Sequence, residues 1–178
     1  GWIAAYGWST DFPANVEAMA DREPFVAIQH AMNVFLDVPS INRAAQQAGV
    51  AQMIRSPLAM GLLTGKFRAG VTVEGADVRT QAANWQGYFD KGIPSEAFLA
   101  QLDAVRDLLT TGGRSLTQGA LGWLLAKGDR ILPVPGARTP EQASENARAL
   151  EFGPLPDSVM AEIEATLERP EEGLPRAL

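Results

Sequence analysis

The sequence predicts an α/β protein with a parallel sheet and about four β/α units. Short apolar runs alternate with stretches of helical periodicity along all 178 residues, and these runs lack the apolar–polar alternation of a half-exposed strand. Buried strands that alternate with helices are typical of a parallel sheet. A barrel of eight such units needs about 250 residues, so the chain is too short to close one by itself. No linker divides residues 1–178 into separate domains.

The first unit and the second strand are predicted near the amino terminus. Residues Ile3 to Tyr6 are predicted as a strand, and a helix follows around Ala14 to Ala20. The run from Phe25 to His30 is apolar and rich in β-forming residues, which predicts the second strand.

The next helix and the last two strands follow from capping residues and apolar runs. Ser40 is predicted to cap a helix through Gln47 that ends at Gly49. Strands are predicted at Gln52–Arg55, stopped by Ser56 and Pro57, and at Ile131–Val134, stopped by Pro135 and Gly136.

Between these two strands, residues 61–94 are predicted to form a long loop, since they contain few periodic apolar positions. Loops of this length in a compact domain are usually functional or mobile. Amphipathic spacing predicts four further helices. They are a helix capped by Ser95 that ends at Gly112 and Gly113, one from near Thr117 to Gly128, one at Pro140–Ala149 and one at Asp157–Leu167.

Composition excludes several functional classes. The chain has no cysteine and a single histidine, His30, so disulfides, cysteine nucleophiles and zinc sites built on cysteine or histidine are not expected. The net charge of −6 disfavours nucleic acid as a partner. No apolar run approaches the roughly 20 residues of a membrane span, and no secretory signal is recognisable. We therefore expect a cytoplasmic protein without a metal site.

The candidate functional residues lie where the strands end, which is where ligands meet parallel α/β sheets. After the fourth strand, Arg138, Gln142, Glu145 and Asn146 are spaced to share one helix face. A helix amino terminus with an arginine suits a phosphate, and the two amides suit the edges of a base. A polar face turned to water is the ordinary alternative for such spacing.

Two other strand-end features have simple structural explanations. The glycine-rich segment from Gly61 to Lys66 has backbone N–H groups that suit a pyrophosphate, but it lacks the P-loop spacing and an ordinary surface loop explains it as well. His30 ends an apolar strand beside Gln29, which is more typical of a hydrogen-bonded core histidine than of a catalytic base. Trp8 also lies at a strand end, although tryptophans most often serve packing.

Taken in order, five segments of the chain resemble the aldo-keto reductase family, specifically its carboxyl-terminal half. The segments that carry the resemblance are residues 6–11 (YGWSTD), 29–33 (QHAMN), 56–66 (SPLAMGLLTGK), 116–124 (LTQGALGWL) and 133–146 (PVPGARTPEQASEN). The resemblance implies strands five to eight of a TIM-type (β/α)8 barrel, which is a half-barrel of four β/α units.

The resemblance also implies a binding site for NADP(H). Ser9 and Gln29 match residues that hold the nicotinamide carboxamide, and Arg138 matches a residue beside the adenosine 2′-phosphate. The remaining matches are to the pyrophosphate loop and the adenine contacts, at Ser56, Leu58, Gly61, Leu63, Gly65, Lys66, Gly136, Gln142 and Asn146. Arg55 stands where many members place a tyrosine under the nicotinamide ring.

The catalytic aspartate, tyrosine, lysine and histidine of the family have no counterpart in the sequence, because the family places them on its first four strands. No catalytic residue is therefore predicted. Three functions stay open: half of an NADP(H)-dependent carbonyl reductase, whose small-molecule carbonyl substrate requires a complementary half; a dinucleotide-binding module without activity; and a weak hydrolase that uses Ser9 or Ser56 with His30.

A half-barrel is also expected to expose two sheet edges and an apolar inner face. Such edges recruit other strands, and large apolar patches mark interfaces. We therefore expect a homodimer rather than a stable monomer. The alternative is that the loop over residues 61–94 covers the open face.

Overall fold

The computed structural model describes residues 2–81, 87–169 and 172. Its strands are β1 (Tyr6–Ser9), β2 (Phe25–Ala31), β3 (Ala51–Arg55), β4 (Phe89–Asp90), β5 (Ile93–Pro94) and β6 (Ile131–Pro133). Its α-helices are α1 (Pro13–Met19), α2 (Pro39–Ala48), α3 (Glu96–Leu109), α4 (Leu116–Leu125), α5 (Pro140–Ala147), α6 (Ala149–Phe152) and α7 (Asp157–Thr166). Short 3₁₀ helices span Ala59–Thr64, Val78–Thr80 and Thr111–Gly113.

The main sheet is parallel and has the strand order β1–β2–β3–β6. Strand–helix alternation along the chain therefore produces the predicted parallel α/β fold with four strands in one sheet. The antiparallel hairpin β4–β5 is separate from this sheet. Because all four strands are parallel, their carboxyl ends lie at the same edge of the sheet.

One face of the sheet packs against the helices and forms the core. Ile28 on β2, Ile54 on β3 and Ile131 on β6 are buried. The core continues into α3 and α4, where Leu109 and Trp123 are completely buried. Burial of one strand face against helices is the arrangement expected for this architecture.

A series of hydrogen-bonded polar side chains crosses this buried face of the sheet. His30 is completely buried; its Nε2 lies 3.0 Å from Oε1 of Gln52, and its Nδ1 lies 3.3 Å from the carbonyl oxygen of Ala31. Gln52 in turn donates to Oδ1 of Asn42 on α2, at 2.8 Å. Burial lowers the pKa of His30, because the apolar surroundings disfavour the charged imidazole. The prediction of a hydrogen-bonded core histidine is thus confirmed.

The other face of the sheet is uncovered along β3 and β6. Met53 on β3 is the register partner of Leu132 on β6, and these side chains are 40% and 52% exposed. Val134, just beyond β6, is 46% exposed. Within the described part of the chain, residues 61–81 and 87–94 therefore leave these side chains open to solvent. The expected homodimer stays a prediction.

Four local predictions need correction. The first strand occupies Tyr6–Ser9 instead of Ile3–Tyr6, because pairing partners on β2 begin only at Phe25. The second helix begins at Pro39 and has Val38 as its N-cap; proline at the first helical position has the backbone angle that a helix start requires. Ser40 therefore lies in the first turn, and its N–H donates to the carboxylate of Glu172.

The helix predicted at Pro140–Ala149 is divided at Arg148 into α5 and α6. The predicted loop contains two 3₁₀ turns and the β4–β5 hairpin. These short elements lack a periodic apolar pattern, which is why the sequence did not indicate them. Gly49, by contrast, ends α2 in the predicted manner, with a left-handed φ of 67°.

The packing of α4 against the end of α3 requires a glycine at position 119. A Cβ atom there would lie 1.9 Å from the carbonyl oxygen of Leu109 and 2.6 Å from its carbonyl carbon. Both are backbone atoms, so the clash cannot be relieved by a side-chain rotation. The close approach of the two helices therefore depends on this residue.

We expect Gly119→Ala to lower the free energy of unfolding by about 3 kcal/mol or more, since overpacking against a backbone costs more than the roughly 1 kcal/mol that alanine gains in a helix. Urea unfolding followed by circular dichroism measures the change. Gly136→Ala is the control, because no atom lies within 4 Å of a Cβ built there. Equal stability of the two variants would contradict this account of the helix packing.

Candidate functional site

A cavity of about 530 Å³ opens where β3 and β6 end. Ser56 directly follows β3, and Val134 directly follows β6. The lining comes from four parts of the chain: the turn after β3, the loop before β4, the start of α4, and the β6–α5 connection with α5. The residues are Ser56, Pro57, Leu58, Met60, Gly61, Thr64, Lys66, Arg79, Thr117, Val134, Gly136, Ala137, Arg138, Gln142, Glu145 and Asn146.

The turn after β3 has an unusual backbone. Ser56, Ala59 and Met60 have φ values of 55°, 48° and 54°, and Gly61 has a φ of 97°. Only glycine adopts this left-handed region without cost, so the three other residues are strained. Such strain persists where surrounding contacts hold the backbone, and it is concentrated at functional sites.

Two side chains hold this turn in place. The Nδ2 of buried Asn33 donates to the carbonyl oxygen of Ser56 at 3.0 Å and to the hydroxyl of Tyr88 at 2.8 Å. The Nε of Arg79 donates to the carbonyl oxygen of Met60 at 2.8 Å. The strained turn is thus attached at both of its ends to residues far away in the sequence.

Arg79 belongs to a segment that we call the 72–80 loop, which forms another wall of the cavity. Asp77 accepts two hydrogen bonds from Nη1 of Arg79, at 2.9 and 2.8 Å, and one from its backbone N–H at 3.0 Å. The guanidinium also lies against the rings of Phe67 and Phe89, at 5.3 and 5.7 Å. The side chains of Arg79 and Asp77 are only 13% and 9% exposed, so this ion pair is well shielded from water.

The backbone hydrogen bond from Arg79 is the main cause that lowers the pKa of Asp77, and the side chain of Arg138 and the charges of both arginines add to it. Partial burial acts in the opposite direction. The carboxylate of Asp77 is therefore kept ionised in the folded chain.

The opposite wall is formed by α5 and the residues before it. Thr139 caps the helix, accepting from the backbone N–H of Gln142 at 3.3 Å. The side chain of Gln142 accepts from the backbone N–H of Arg138 at 2.8 Å, and Asn146 donates to the carbonyl oxygen of Gly136 at 3.4 Å. The amides thus brace the 136–138 segment. Neither Nε2 of Gln142 nor Oδ1 of Asn146 has a partner within the described part of the chain.

Positive charge exceeds negative charge on the cavity lining. Lys66, Arg79 and Arg138 line it together with one carboxylate, that of Glu145, which accepts from the hydroxyl of Ser115 at 2.6 Å. Among the described residues no carboxylate forms an ion pair with Lys66, whose ammonium lies 4.9 Å from the ring centre of Phe67. The lining is therefore suited to an anion.

The crowding of cations affects the protonation of Lys66. Although the residue is largely exposed, desolvation of its ammonium group, followed by the charges of Arg79 and Arg138, lowers its pKa, and Asp77 acts against this. A neighbouring anion would restore the pKa of Lys66, because opposite charge favours the protonated amine.

At the end of the sheet lies a second polar group. Ser9 and Gln29 are register partners on β1 and β2. Arg55, at the end of β3, forms an ion pair with Asp11, which also accepts from the backbone N–H of Ala31 at 2.9 Å. Arg55 and Asp11 therefore connect the residues that follow β1 with the carboxyl ends of β2 and β3. His30 is not available to this group, because it is completely buried and its ring nitrogens face the carbonyl oxygen of Ala31 and Oε1 of Gln52 in the core.

The structure brings most of the sequence-predicted cofactor residues to one cavity. Those on its lining are Ser56, Leu58, Gly61, Lys66, Gly136, Arg138, Gln142 and Asn146. Ser9, Gln29 and Arg55 lie at the sheet end instead. Leu63 is completely buried, and Gly65 faces Leu116, so neither lines the cavity.

Sequence reasoning missed Arg79 and Asp77. The only local signal is an aspartate before a short helical turn, since Asp77 is the N-cap of the 3₁₀ helix at Val78–Thr80. That signal predicts a turn and contains no information about the cavity. Thr117 and Met60 also line the cavity and were not among the predicted site residues.

Two negative findings apply to the part of the chain that the structure describes. There, no group of three or more His, Cys, Asp or Glu side chains is arranged to hold a metal ion. No helix in the described ranges has the length and apolar character needed to cross a bilayer.

Comparison with known proteins identifies relatives over nearly the whole chain. The profile described as "Aldo/keto reductase family" matches residues 1–168. L-glyceraldehyde 3-phosphate reductase of Escherichia coli is 34% identical over 120 residues, which cover 67% of this chain and 34% of that protein. An aldo-keto reductase of Schizosaccharomyces pombe whose name includes NADP(+) is 28% identical over 96% of this chain and 50% of its own.

Solved structures agree in fold. A glycerol dehydrogenase from Gluconobacter oxydans has a TM-score of 0.75 at 24% identity, covering 97% of this chain and 53% of that one. An aldo-keto reductase from Bacillus halodurans has a TM-score of 0.65 at 22% identity, with 97% and 53% coverage. The chain thus spans between about a third and about half of the length of these relatives.

Because the pKa of Asp77 is lowered in the folded chain, its carboxylate should contribute a pH-dependent part of the free energy of unfolding. The stabilisation that Asp77 contributes is complete above the unfolded-state pKa of about 3.9 and is lost as the pH falls through the lower folded-state pKa. We expect Asp77→Asn to lower the free energy of unfolding by about 1–3 kcal/mol near neutral pH, with a difference from the unmodified chain that shrinks below about pH 4.

Urea unfolding across this pH range measures that difference. Asp103→Asn is the matched control, because it removes the same charge from an ion pair whose carboxylate is 70% exposed. A difference for Asp77→Asn that is independent of pH would show that the Asp77 charge does not stabilise the fold.

Proposed function

Because the chain belongs to the aldo/keto reductase family, we propose that its cavity binds NADP(H) and that the chain serves an enzyme that reduces aldehydes or ketones. The observation that carries this proposal is the cavity lining at the carboxyl ends of parallel strands, where three cations (Lys66, Arg79 and Arg138) outnumber the two carboxylates of Glu145 and Asp77 on or beside it. Ligands of open parallel sheets bind at this edge, and a dinucleotide supplies the anionic phosphates that such a lining requires.

The described residues fit the parts of such a cofactor. Lys66 has no carboxylate partner among the described residues and carries a lowered pKa, which an adjacent pyrophosphate would relieve. Arg138 is 73% exposed at the cavity mouth and offers a planar fork for the adenosine 2′-phosphate. Nε2 of Gln142 and Oδ1 of Asn146, which have no partner among the residues that the structure describes, suit the edge of an adenine ring.

The nicotinamide part of the cofactor carries the hydride when it is bound. We assign the carboxamide to Ser9 and Gln29, which are paired across β1 and β2. Arg55 would present its guanidinium to the ring, and its ion pair with Asp11 restrains the orientation of that group. The chain's own contribution is therefore to bind and orient the cofactor.

A second candidate function is dinucleotide binding without turnover. Carbonyl reduction needs a proton donor beside the substrate oxygen. The chain has two tyrosines; Tyr6 donates to the carbonyl oxygen of Arg22 at 3.0 Å, and Tyr88 is 2% exposed with its hydroxyl bonded to Asn33. Since His30 is also engaged, these groups favour binding over catalysis by the isolated chain. The same engagement of His30 argues against a hydrolase that uses Ser9 or Ser56.

Fluorescence titration of the purified chain with NADPH tests the binding proposal, and carbonyl-dependent oxidation of NADPH separates the two candidates. Binding with turnover supports a reductase, and binding without turnover supports the second candidate. Absence of binding at millimolar concentrations contradicts both.

Arg138 is expected to determine the preference for the phosphorylated cofactor. A charge-assisted hydrogen bond contributes about 1.5–3 kcal/mol, so Arg138→Ala should reduce the preference for NADPH over NADH by roughly ten- to a hundredfold. Arg148→Ala is the control, because Arg148 is 60% exposed and pairs with Glu151 outside the cavity. Equal affinity of the unmodified chain for the two cofactors would remove the basis for this assignment.

Lys66 is expected to make cofactor binding depend on pH. The phosphate is bound best by the protonated amine, so affinity for NADPH should fall as the pH rises through the lowered pKa of Lys66. Lys66→Gln should weaken binding about tenfold near neutral pH and remove this part of the pH dependence. Lys91→Gln, outside the cavity lining, should leave both unchanged. A pH dependence that persists in Lys66→Gln would assign it to another group.

A further inference from the structure

The side chain that the proposed function assigns to the 2′-phosphate already has an anionic partner. Nη2 of Arg138 donates to Oδ2 of Asp77 at 3.0 Å. Asp77 lies 61 residues away in sequence, in the 72–80 loop, and this contact joins that loop to the segment before α5. A carboxylate therefore stands beside the cation that would distinguish NADPH from NADH.

Asp77 and Arg138 differ greatly in solvent exposure and in the number of contacts that restrain them. The side chain of Asp77 is 9% exposed, whereas that of Arg138 is 73% exposed. Asp77 is bound by the side chain and the backbone N–H of Arg79, and Arg79 is bound to the carbonyl oxygen of Met60. Asp77 therefore cannot move aside without breaking the wall of the cavity, while Arg138 is restrained by one exposed hydrogen bond.

The backbone around Asp77 adds to this restraint. The hydroxyl of Thr80 donates to the carbonyl oxygen of Asp77 at 2.7 Å, and the N–H of Gly92 donates to the carbonyl oxygen of Arg79 at 2.8 Å. A Cβ atom at Gly92 would lie 2.6 Å from the carbonyl oxygen of Val73. The 72–80 loop is thus packed closely against the β4–β5 hairpin, and the carboxylate is a fixed feature of the site.

We propose that Asp77 is a specificity-determining residue, whose fixed carboxylate limits the preference of the site for a phosphorylated adenosine ribose. This inference rests on the proposed function. A phosphate monoester carries a charge of about −1.5 to −2 at neutral pH, and its repulsion by Asp77 grows with that charge. A ribose hydroxyl carries no charge and can donate to a carboxylate, as it does in dinucleotide sites of another fold.

The two opposing effects of Asp77 can be ranked. By holding Arg138, Asp77 restricts an exposed side chain, and exposed ion pairs of this kind contribute little. Repulsion between a fixed carboxylate and a doubly charged phosphate is the larger effect, because it increases with the product of the charges. Removal of the carboxylate charge should therefore favour NADPH more than NADH.

The test is the ratio of the two dissociation constants, for NADH over NADPH, from fluorescence titration of the full chain. We expect Asp77→Asn to raise this ratio by about three- to tenfold. Effects that act only on the shared pyrophosphate alter both constants equally and cancel in the ratio. Asp103→Asn removes an equal charge outside the cavity and should leave the ratio unchanged.

Two further variants make the result specific. Asp77→Ser keeps an oxygen that can cap the 3₁₀ helix and should raise the ratio as the asparagine does. In an Arg138→Ala background, Asp77→Asn should change the ratio much less, because the phosphate has lost the cation that held it near position 77.

An unchanged or lowered ratio in both Asp77 variants overturns the inference while the proposed cofactor site stands. Failure of the unmodified chain to bind either dinucleotide overturns both. A rise of the ratio that is equally large in the Arg138→Ala background also contradicts the inference, since it would show that Asp77 acts independently of Arg138.

Discussion

The guanidinium of Arg79 joins the segments on which the candidate site depends. It donates to the carbonyl oxygen of Met60 in the strained turn, binds both carboxylate oxygens of Asp77, and lies against the rings of Phe67 and Phe89. Five donors in a rigid plane allow one side chain to make contacts in several directions. Because the group is 13% exposed, its charge requires the carboxylate of Asp77 beside it. The shape of the cavity and the placement of the Asp77 carboxylate beside it are therefore consequences of the same interaction.

Two further cations, Lys66 and Arg138, lie on the same cavity lining. Lys66 is brought near Arg79 and Arg138 without a carboxylate of its own among the described residues. Desolvation of its ammonium group is the largest cause of its lowered pKa, and the charges of the two arginines add to it. Proteins are stabilised by ligands that bind only the native state. The electrostatic cost of the lining is thus offset when a phosphate is bound. The parallel sheet makes this possible, since it places the residues after β3 and β6 at one edge.

Much of the fold follows from local sequence signals. The apolar runs of β2, β3 and β6 and the glycine that ends α2 lie where their residue types predict. Gln142 and Asn146 share α5 as their spacing predicts. The prediction that Arg138 lies on the same helix face is wrong, because Arg138 precedes the N-cap Thr139, although all three residues line the cavity. In each case the signal is carried by residues that are neighbours in sequence or share one helix.

Features determined by distant contacts were not predictable in this way. The start of β1 depends on where β2 offers pairing partners. The requirement for glycine at position 119 depends on how closely the end of α3 approaches it. Arg79 and Asp77 lie in a segment without periodicity, and their roles arise from contacts with Met60 and Arg138. A single sequence contains no signal for such pairings, because the partners are separated by a loop whose path depends on the complete fold.

The left-handed residues after β3 have a consequence for engineering. Ala59 and Met60 hold a conformation that costs roughly 1–2 kcal/mol per residue for side chains other than glycine. Glycine at either position would relieve this strain. It would also increase the number of backbone conformations accessible to the turn, both in the unfolded chain and in the folded chain. A screen that selects for thermal resistance would therefore tend to act on the turn that forms the cavity wall. Gains in melting temperature obtained there would come with a more variable backbone at the ligand site, which is the usual trade-off between stability and function.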